Sequence, residues 1–471
     1  ATHAANGVHT AMQDSTPLIL LIGQVETHLK GREAFQEIDY LHMFGSMAKW
    51  VTEVDAIERI PEIMNRAFQV ACSGRPGPVV VALPEDLLFS VAAVNDVIPT
   101  TIVPSSPEES SLNKLQQLLN DCQKPLVVVG GTRWDQEDRQ HLEQFLQAFG
   151  LPVAAGFRRQ DLVDNRHRHY IGQLGLAVSP GLSKRVKEAD LIIAIGTRLS
   201  DVTTAGYTLI QPNPSTQKLV HLHPIAEELG KVFQTELAIQ TPISQGLSAL
   251  ARLRNPSAHL PWQAWTEQAR EDYLKFSTPT PTAGTGVNLA EVVSHLSDTL
   301  PDDSIICNGA GNYTVWVHRF FKYKNLHTEL APTNGAMGYG LPAAIAAKLE
   351  HPNQTVVCFS GDGCFLMYPQ ELATAIQYKA AVIVIVVNNR MLGTIRMHQE
   401  REYPGRVMGT DLVNPDFVAL AKSFGCYAER VETTRDFATA FSRAKDSGLP
   451  ALLEIMTDPQ QLTPSMRLTS S

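Results

Sequence analysis

The sequence lacks several features that mark particular classes of protein. Its six cysteines form no CxxC pair, which fits reduced thiols and predicts a cytoplasmic protein. Its longest apolar runs, such as residues 380–387, are far shorter than the ~20 residues that a membrane helix needs. Lysine and arginine (39) are outnumbered by aspartate and glutamate (48), which argues against binding to nucleic acid or to an anionic membrane. What remains is a soluble, intracellular protein.

The pattern of apolar residues predicts an α/β protein with several parallel sheets. The chain has 471 residues, of which 44% are hydrophobic, so it is long enough for about three domains. Short apolar runs rich in β-branched residues alternate with amphipathic stretches. Continuous runs of this kind are typical of strands buried on both faces of a doubly wound parallel sheet, with crossover helices between them. The six runs are 17–23, 78–84, 125–130, 190–196, 355–361 and 381–387.

Two proline-rich stretches predict the joints between domains. Residues 95–111 and 252–286 have the composition of interdomain connectors. The block before the first of these connectors is the shortest and holds the fewest strand candidates. Because the chain also begins with Ala1 instead of methionine, we expect the first domain to be incomplete, with its opening units upstream. The predicted domains are 1–95, 110–250 and 285–471.

Polar residues follow two consecutive predicted strands of the third block. Gly361-Asp362-Gly363 ends one strand, and Asn388-Asn389 ends the next. In a parallel sheet these side chains meet at the carboxyl edge, where α/β proteins bind ligands. Asp362, Asn389 and the carbonyl of Met391 would offer hard oxygen ligands to Mg²⁺, and the glycines would let the main chain approach phosphates. The alternative is an aspartate that caps a helix and an asparagine in a turn.

These motifs resemble the signature of thiamine diphosphate enzymes, and the chain is similar nearly end to end to the acetolactate synthase branch. The resemblance implies three α/β domains: a pyrimidine-binding, a middle and a diphosphate-binding domain. It also implies a homodimer or homotetramer, because the cofactor lies between two subunits. The implied reaction decarboxylates a 2-oxo acid such as pyruvate and joins the fragment to a second carbonyl, as in branched-chain amino acid biosynthesis. The stretches that carry the resemblance are 23–25, 34–37, 74–79, 335–342, 361–363, 370–374 and 388–389.

The resemblance assigns roles to particular residues when it is carried over position by position. Asp362, Asn389 and the Met391 carbonyl resemble the Mg²⁺ ligands. Met337 matches the apolar wedge that bends the cofactor, with core packing as the alternative, and the Gly335 carbonyl would accept a hydrogen bond from the cofactor's amino group. The positions along the diphosphate would be Asn312, Tyr313, Gly363, Cys364, Gly393 and Thr394.

Fewer residues bear on the substrate. Gln24 resembles the glutamine near the reacting centre and is our catalytic candidate, and Phe35 would line the pocket; packing at a strand end is the alternative for both. His398 stands where biosynthetic acetolactate synthases have tryptophan, which leaves the second substrate open. We give His398 no catalytic role, because a lone histidine is more often structural or solvated.

The family also uses one glutamate, early in the first domain, to protonate the pyrimidine ring. It would lie upstream of Ala1, and Glu26, Glu33 and Glu37 cannot replace it by position, so we expect the chain as given to lack this activating acid. Two alternatives to carboligation stay open, and the second of them follows from the missing acid. One is a 2-oxo acid decarboxylase that does not join fragments, and the other is a truncated, non-catalytic remnant that only binds the cofactor.

The middle block resembles a nucleotide site, which in this branch often holds FAD without using its redox chemistry. Gly196-Thr197-Arg198 fits that pattern and would bring Arg198 near a phosphate. His223, however, stands where an aspartate is usual. The alternative is an ion pair between Arg198 and Asp201 on the surface.

Overall fold

The computed structural model describes residues 1–213, 216–254, 260–280 and 284–468. Within these ranges, three parallel sheets follow one another along the chain, so the predicted α/β fold class is confirmed. Two prolines of the second predicted connector, Pro256 and Pro281, lie outside the described residues, as do the last three residues of the third block. No helix in these ranges is both long and apolar enough to cross a membrane.

The first sheet has three parallel strands, and its middle strand is buried on both faces. The elements are α1 (Ala5–Asp14), β1 (Leu18–Gln24), α2 (Tyr40–Phe44), β2 (Trp50–Glu53), α3 (Ile60–Cys72), β3 (Pro78–Pro84) and α4 (Glu85–Leu88). The strand order is β1-β3-β2. Val79 and Val81 pack with the apolar residues of α3, whereas Val80 and Ala82 pack with Phe44 on the other face, because successive side chains of a strand alternate.

The second sheet has six parallel strands in the order β6-β5-β4-β7-β8-β9. The elements are α5 (Glu109–Asp121), β4 (Pro125–Val129), α6 (Gln136–Phe149), β5 (Val153–Ala155), β6 (Tyr170–Gln173), α7 (Pro180–Glu188), β7 (Leu191–Ile195), β8 (Lys218–His223), β9 (Leu237–Gln240) and α8 (Ile243–Arg252). From β4 the chain first builds outward to β6 and then returns to β7 on the other side. The reversal opens a crevice between β4 and β7 at the carboxyl edge.

The second predicted connector holds a helix, α9 (Gln263–Phe276). Trp262 and Trp265 donate indole hydrogen bonds to the carbonyls of Phe149 (2.8 Å) and Pro125 (3.1 Å). Buried apolar side chains at helical spacing therefore fix this stretch to the middle domain. Its prolines stand before and after the helix, where proline does least harm.

The third sheet has six parallel strands in the order β11-β10-β12-β13-β15-β14, followed by a short hairpin. The elements are α10 (Leu289–Thr299), β10 (Ile305–Asn308), α11 (Tyr313–Phe320), β11 (Glu329–Leu330), α12 (Gly340–Glu350), β12 (Val356–Gly361), α13 (Asp362–Phe365), α14 (Glu371–Gln377), β13 (Ile383–Asn388), α15 (Gly393–Glu402), α16 (Phe417–Ser423), β14 (Tyr427–Val431), α17 (Thr434–Asp446), β15 (Ala451–Met456), β16 (Gln461–Thr463) and β17 (Met466–Arg467). The order of strands reverses between β10 and β12. A second ligand-sized crevice is therefore expected at that carboxyl edge.

The loop between β5 and β6 joins the middle sheet to the third. Arg158, which is only 1% exposed, donates hydrogen bonds to the carbonyls of Gly309 (2.9 Å) and Pro332. Asn165 and Tyr323 exchange two more, at 2.9 and 3.0 Å. Burying a guanidinium group is costly unless it is hydrogen-bonded, so these carbonyls and the loop that carries Arg158 hold one another in place.

Two buried carboxyl groups meet at the same interface. Asp161 accepts hydrogen bonds from the N–H groups of Thr328 (3.2 Å) and Glu329 (3.3 Å), and Glu329 accepts one from Gln160 (2.6 Å). Burial raises the pKa of both carboxyl groups, and the negative charge of Asp161 raises the pKa of Glu329 further. His318 lies 4.0 Å from Glu329, but burial lowers the pKa of His318 to about 3, so its ring is neutral at neutral pH.

We predict that Glu329→Gln loses less stability than the wild type when the pH rises from about 4 to about 8. The folded protein keeps a proton on Glu329 that the unfolded chain releases, so the free energy of unfolding falls as pH rises above the ordinary range of a glutamate. Glutamine has no such proton and still offers Gln160 an acceptor. Thermal unfolding followed by circular dichroism at both pH values measures the difference.

Glu350→Gln, at the exposed end of α12, serves as the control and should follow the wild type. If Glu329→Gln also follows the wild type across this range, the raised pKa is wrong.

Candidate functional site

A cavity of about 250 Å³ lies at the carboxyl edge of the third sheet, where the order of strands reverses. Its walls come from the loop after β10, the loop before α12, the end of β12 and the loop after β13. Every residue that the sequence assigned to the cofactor or the metal lines it, whereas Gln24 does not. These lining residues are Asn312, Tyr313, Gly335, Met337, Asp362, Gly363, Cys364, Asn389, Met391, Gly393 and Thr394.

The Asp362 carboxylate is held at the first residue of α13. It is 2% exposed, and its oxygens accept hydrogen bonds from the Gly363 N–H (2.9 Å) and from the side-chain amide of Asn414 (2.8 Å). Burial raises the pKa of Asp362, and these donors oppose that rise. A buried carboxylate at this position favours a nearby positive charge.

The two asparagines after β13 have different surroundings. The Asn389 side chain lines the cavity, and its oxygen accepts a hydrogen bond from the Met391 N–H at 3.2 Å. Asn388 is buried outside the cavity and donates to Glu454 at 2.7 Å. Of the pair, only Asn389 is therefore available to a ligand in the cavity.

The oxygen donors at the cavity suit a hard cation. Asp362 supplies a carboxylate, Asn389 a carboxamide and Met391 a backbone carbonyl, which are ligand types that Mg²⁺ accepts when phosphate and water complete its shell. In the part of the chain that the structure describes, no group of three histidine, cysteine, aspartate or glutamate side chains could hold a metal. A cation here would therefore depend on a ligand that brings its own oxygens.

Glycines bring the main chain close to the cavity. A Cβ atom added at Gly363 would lie 2.8 Å from the Leu392 side chain, and Gly311 has a φ of +145°, which a side chain rarely tolerates. Gly393 begins α15, a helix of ten residues, so the N-terminus of that helix borders the cavity. Main-chain N–H groups and a helix N-terminus favour an anion such as a diphosphate.

Tyr313 and Cys364 form part of a hydrogen-bonded wall. The Tyr313 hydroxyl accepts from the Gly309 N–H (3.0 Å) and donates to the Cys364 sulfur (3.4 Å), which also accepts from the Gly338 N–H (3.2 Å). These bonds connect three of the four segments that line the cavity. Both side chains are therefore fixed before any ligand binds.

Asn312 and Thr394 meet across the cavity. The Thr394 hydroxyl donates to the Asn312 carboxamide at 2.9 Å, and Asn312 donates to the Gly393 carbonyl at 3.3 Å. Met337 is half-buried and packs against the apolar core on one face of the sheet, while its neighbour Gly335 turns the chain with a φ of +71°. Met337 thus presents an apolar surface to the same cavity as the polar pair.

Gln24 lies at the end of β1, away from this cavity. Its amide group donates to the Ile38 carbonyl (2.8 Å) and accepts from the Val25 N–H (2.9 Å), so both of its ends are used within the first domain. Phe35 is 88% exposed. His398 is exposed on α15 and is hydrogen-bonded to Arg401 at 2.7 Å, as expected for a solvated side chain.

Sequence reasoning missed two residues that hold the walls of the cavity. Arg158 of the middle domain binds the carbonyls of Gly309 and Pro332, which start two of the lining loops. Asn414 reaches Asp362 from a segment 52 residues further along the chain. The Asn414-Pro415 pair is a turn signal, but no local pattern reports which distant group such a side chain touches.

The crevice of the middle sheet is filled by the first domain. Arg75, Arg159 and Arg198 donate hydrogen bonds to the carbonyls of residues 12–14, the last turn of α1. Helix C-termini carry partial negative charge, so they attract cationic side chains. Arg198 thus contacts α1 instead of forming the surface pair with Asp201.

The crevice beside these arginines leaves less room than the cavity of the third sheet. It encloses about 70 Å³, whereas the cavity of the third sheet encloses about 250 Å³. His223 is buried at its edge, and burial together with His221 lowers the pKa of His223 to about 4, so its ring is neutral. A neutral histidine cannot supply the charge of the usual aspartate.

Comparison with family models covers most of the chain. Residues 309–455 match the thiamine pyrophosphate enzyme, C-terminal TPP binding domain. Residues 112–250 match the thiamine pyrophosphate enzyme, central domain. Residues 1–43 match the thiamine pyrophosphate enzyme, N-terminal TPP binding domain.

Curated relatives agree with these models. The chain is 30% identical to the acetolactate synthase isozyme 2 large subunit of Escherichia coli (strain K12), over 97% of this chain and 82% of that one. It is 31% identical to the probable acetolactate synthase large subunit of Methanocaldococcus jannaschii, over 98% and 80%. It is 30% identical to the chloroplastic acetolactate synthase of Arabidopsis thaliana, over 98% and 71%. The chain therefore belongs to the thiamine pyrophosphate enzyme family, in the branch of the acetolactate synthase large subunits.

Proposed function

We propose that this protein uses thiamine diphosphate and Mg²⁺ to decarboxylate a 2-oxo acid of the pyruvate type and to join the remaining fragment to a second carbonyl. One observation carries the proposal: a carboxylate and a carboxamide, Asp362 and Asn389, from the ends of adjacent strands line one glycine-rich cavity. The acetolactate synthases to which the chain is similar suggest carboligation as the outcome.

The chain's own residues would bind and orient the cofactor. Asp362, Asn389 and the Met391 carbonyl would hold the cation that carries the diphosphate. Met337 would support the rings from one side, and the Gly335 carbonyl would accept a hydrogen bond from the amino group. When bound, thiamine diphosphate supplies a carbon nucleophile for the 2-oxo acid and takes up the electron pair that decarboxylation releases.

The polar residues along the diphosphate would mainly contribute fixed geometry. Asn312, Tyr313 and Thr394 are already held by hydrogen bonds to one another or to the main chain. A preformed site loses little conformational entropy when the ligand binds. The half-buried, partly apolar lining would also exclude water from the reacting centre.

Gln24 would line the cavity of a second copy of the chain. Its strand end lies outside the cavity of its own chain, and the neighbouring Phe35 is exposed. A homodimer or homotetramer that brings the first domain of one copy to the third domain of another would satisfy both facts. Dimers with an isologous interface are the commonest soluble homo-oligomers.

We predict that the protein converts pyruvate to acetolactate when it carries the activating glutamate that the family places early in the first domain and is supplied with thiamine diphosphate and Mg²⁺. Acetolactate is measured by its acid conversion to acetoin, and acetaldehyde is measured in the same reactions. Acetaldehyde as the only product would contradict carboligation, and bound cofactor without either product would contradict the whole proposal.

We predict that Asp362→Ala abolishes Mg²⁺-dependent binding of thiamine diphosphate. The buried carboxylate is the only charged oxygen donor among the three proposed ligands, so the loss should exceed the roughly 10–100-fold that removal of a supporting residue costs. Isothermal titration calorimetry with and without Mg²⁺ measures it. Asp446→Ala, exposed at the end of α17, should bind as the wild type does, and an unchanged affinity in Asp362→Ala would rule out the metal assignment.

We infer that this function needs no flavin. Arg198 and its two neighbouring arginines donate hydrogen bonds to α1, and the remaining cavity is about 70 Å³, against about 250 Å³ at the third sheet. We predict that protein equilibrated with FAD and then dialysed retains no flavin absorbance, while acetolactate formation is the same with and without FAD. Flavin retained at one equivalent per chain would contradict this inference.

A further inference from the structure

Asn414 connects the ends of the two strands that carry the candidate cation site. It lies between α15 and α16, and its side-chain N–H₂ group donates to Asp362 at 2.8 Å and to Asn388 at 3.0 Å. Asp362 follows β12, and Asn388 ends β13. A single amide therefore fixes the carboxylate of one strand end relative to the carboxamide of the next.

The hydrogen bonds continue from Asn388 across the sheet. Asn388 donates to Glu454 at 2.7 Å, and Glu454, which is 1% exposed, accepts a hydrogen bond from Arg430 at 2.8 Å. Glu454 belongs to β15 and Arg430 to β14, so the network spans four neighbouring strands. Arg430 compensates the buried charge of Glu454. Glu454 in turn orients the Asn388 side chain, and Asn388 orients Asn414.

The segment that ends at Asn414, residues 410–414, also holds the loop that carries Met391. The Leu392 N–H donates to the Thr410 carbonyl (2.8 Å), the Leu412 N–H donates to the Arg390 carbonyl (2.9 Å), and Met391 pairs with Asp411 in an isolated bridge. Residues 410–414 thus contact two of the three proposed ligands, Asp362 through a side chain and Met391 through the backbone.

Local structure does not account for Asn414. The cap of α16 is Asp416, whose carboxylate accepts from the Ala419 N–H at 3.0 Å. The oxygen of the Asn414 side chain is buried and has no hydrogen-bond partner among the described residues. The amide is therefore held by its donor end alone, and that end points to Asp362 and Asn388.

We propose that Asn414 is a positioning residue that orients the Asp362 carboxylate for the divalent cation, an inference that rests on the proposed function. A neutral donor occupies one lone pair of the Asp362 oxygen and leaves the negative charge for the cation, whereas a lysine at this position would neutralise it. Residues that hydrogen-bond to metal ligands commonly change metal affinity 10–100-fold when they are removed.

The test measures metal affinity directly in the whole 471-residue chain. Mn²⁺ replaces Mg²⁺ because the free ion gives an electron paramagnetic resonance signal that disappears on binding, and thiamine diphosphate is present at saturation. Asn414→Ala should weaken Mn²⁺ binding about tenfold or more. Asn414→Ser, whose hydroxyl can restore one of the two donated hydrogen bonds, should fall between Asn414→Ala and the wild type. Asn120→Ala, at the exposed end of α5, should bind Mn²⁺ as the wild type does.

The outcomes distinguish a failure of the proposed function from a failure of the role of Asn414. A wild type that binds no Mn²⁺ in the presence of thiamine diphosphate overturns the proposed function and this inference with it. A wild type that binds Mn²⁺, together with Asn414→Ala of unchanged affinity, overturns the role of Asn414 alone, even if the variant unfolds at a lower temperature. If Asn414→Ala does not fold, the Mn²⁺ affinity of Asn414→Ser is the test. An affinity equal to that of the wild type in Asn414→Ser also overturns the positioning role of Asn414.

Discussion

Asp362 has to stay buried at the carboxyl edge of the third sheet while both of its oxygens keep hydrogen-bond donors. The strand order and the strand register bring the end of β12 beside the end of β13, and the Gly363 N–H and Asn414 supply the donors. A buried carboxylate without these donors would be costly. The loops after β12 and β13, and the segment that ends at Asn414, are therefore constrained by one charged group.

The middle domain supports this site without lining it. Arg158 reaches across to carbonyls that begin two of the lining loops, and the arginines of its own crevice hold the end of α1. The crevice of the second sheet thus serves contacts between domains. In an α/β protein the same kind of strand-order reversal can hold a ligand or a neighbouring helix, because both are attracted by the dipoles and side chains at the carboxyl edge.

Much of the fold and part of the site follow from sequence patterns. The continuous apolar runs that became β4, β7, β12 and β13 predict buried parallel strands, because only strands covered on both faces lose all alternation. The helix α9 was missed because its prolines suggested a connector, although Trp262 and Tyr273 at helical spacing pointed to an apolar face. The residues that follow β12 and β13 were predicted together, since adjacent parallel strands end at the same edge.

The sequence by itself determined the type of fold, the carboxyl-edge position of Asp362 and Asn389, and the glycines beside them, since these depend on spacing along a single chain. Only the tertiary structure decided that Asn389 and not Asn388 faces the cavity, that Gln24 lies outside it, and that Asn414 and Arg158 hold its walls. Contacts between residues far apart along the chain arise from packing, and no local periodicity encodes which distant donor satisfies a buried carboxylate or carbonyl.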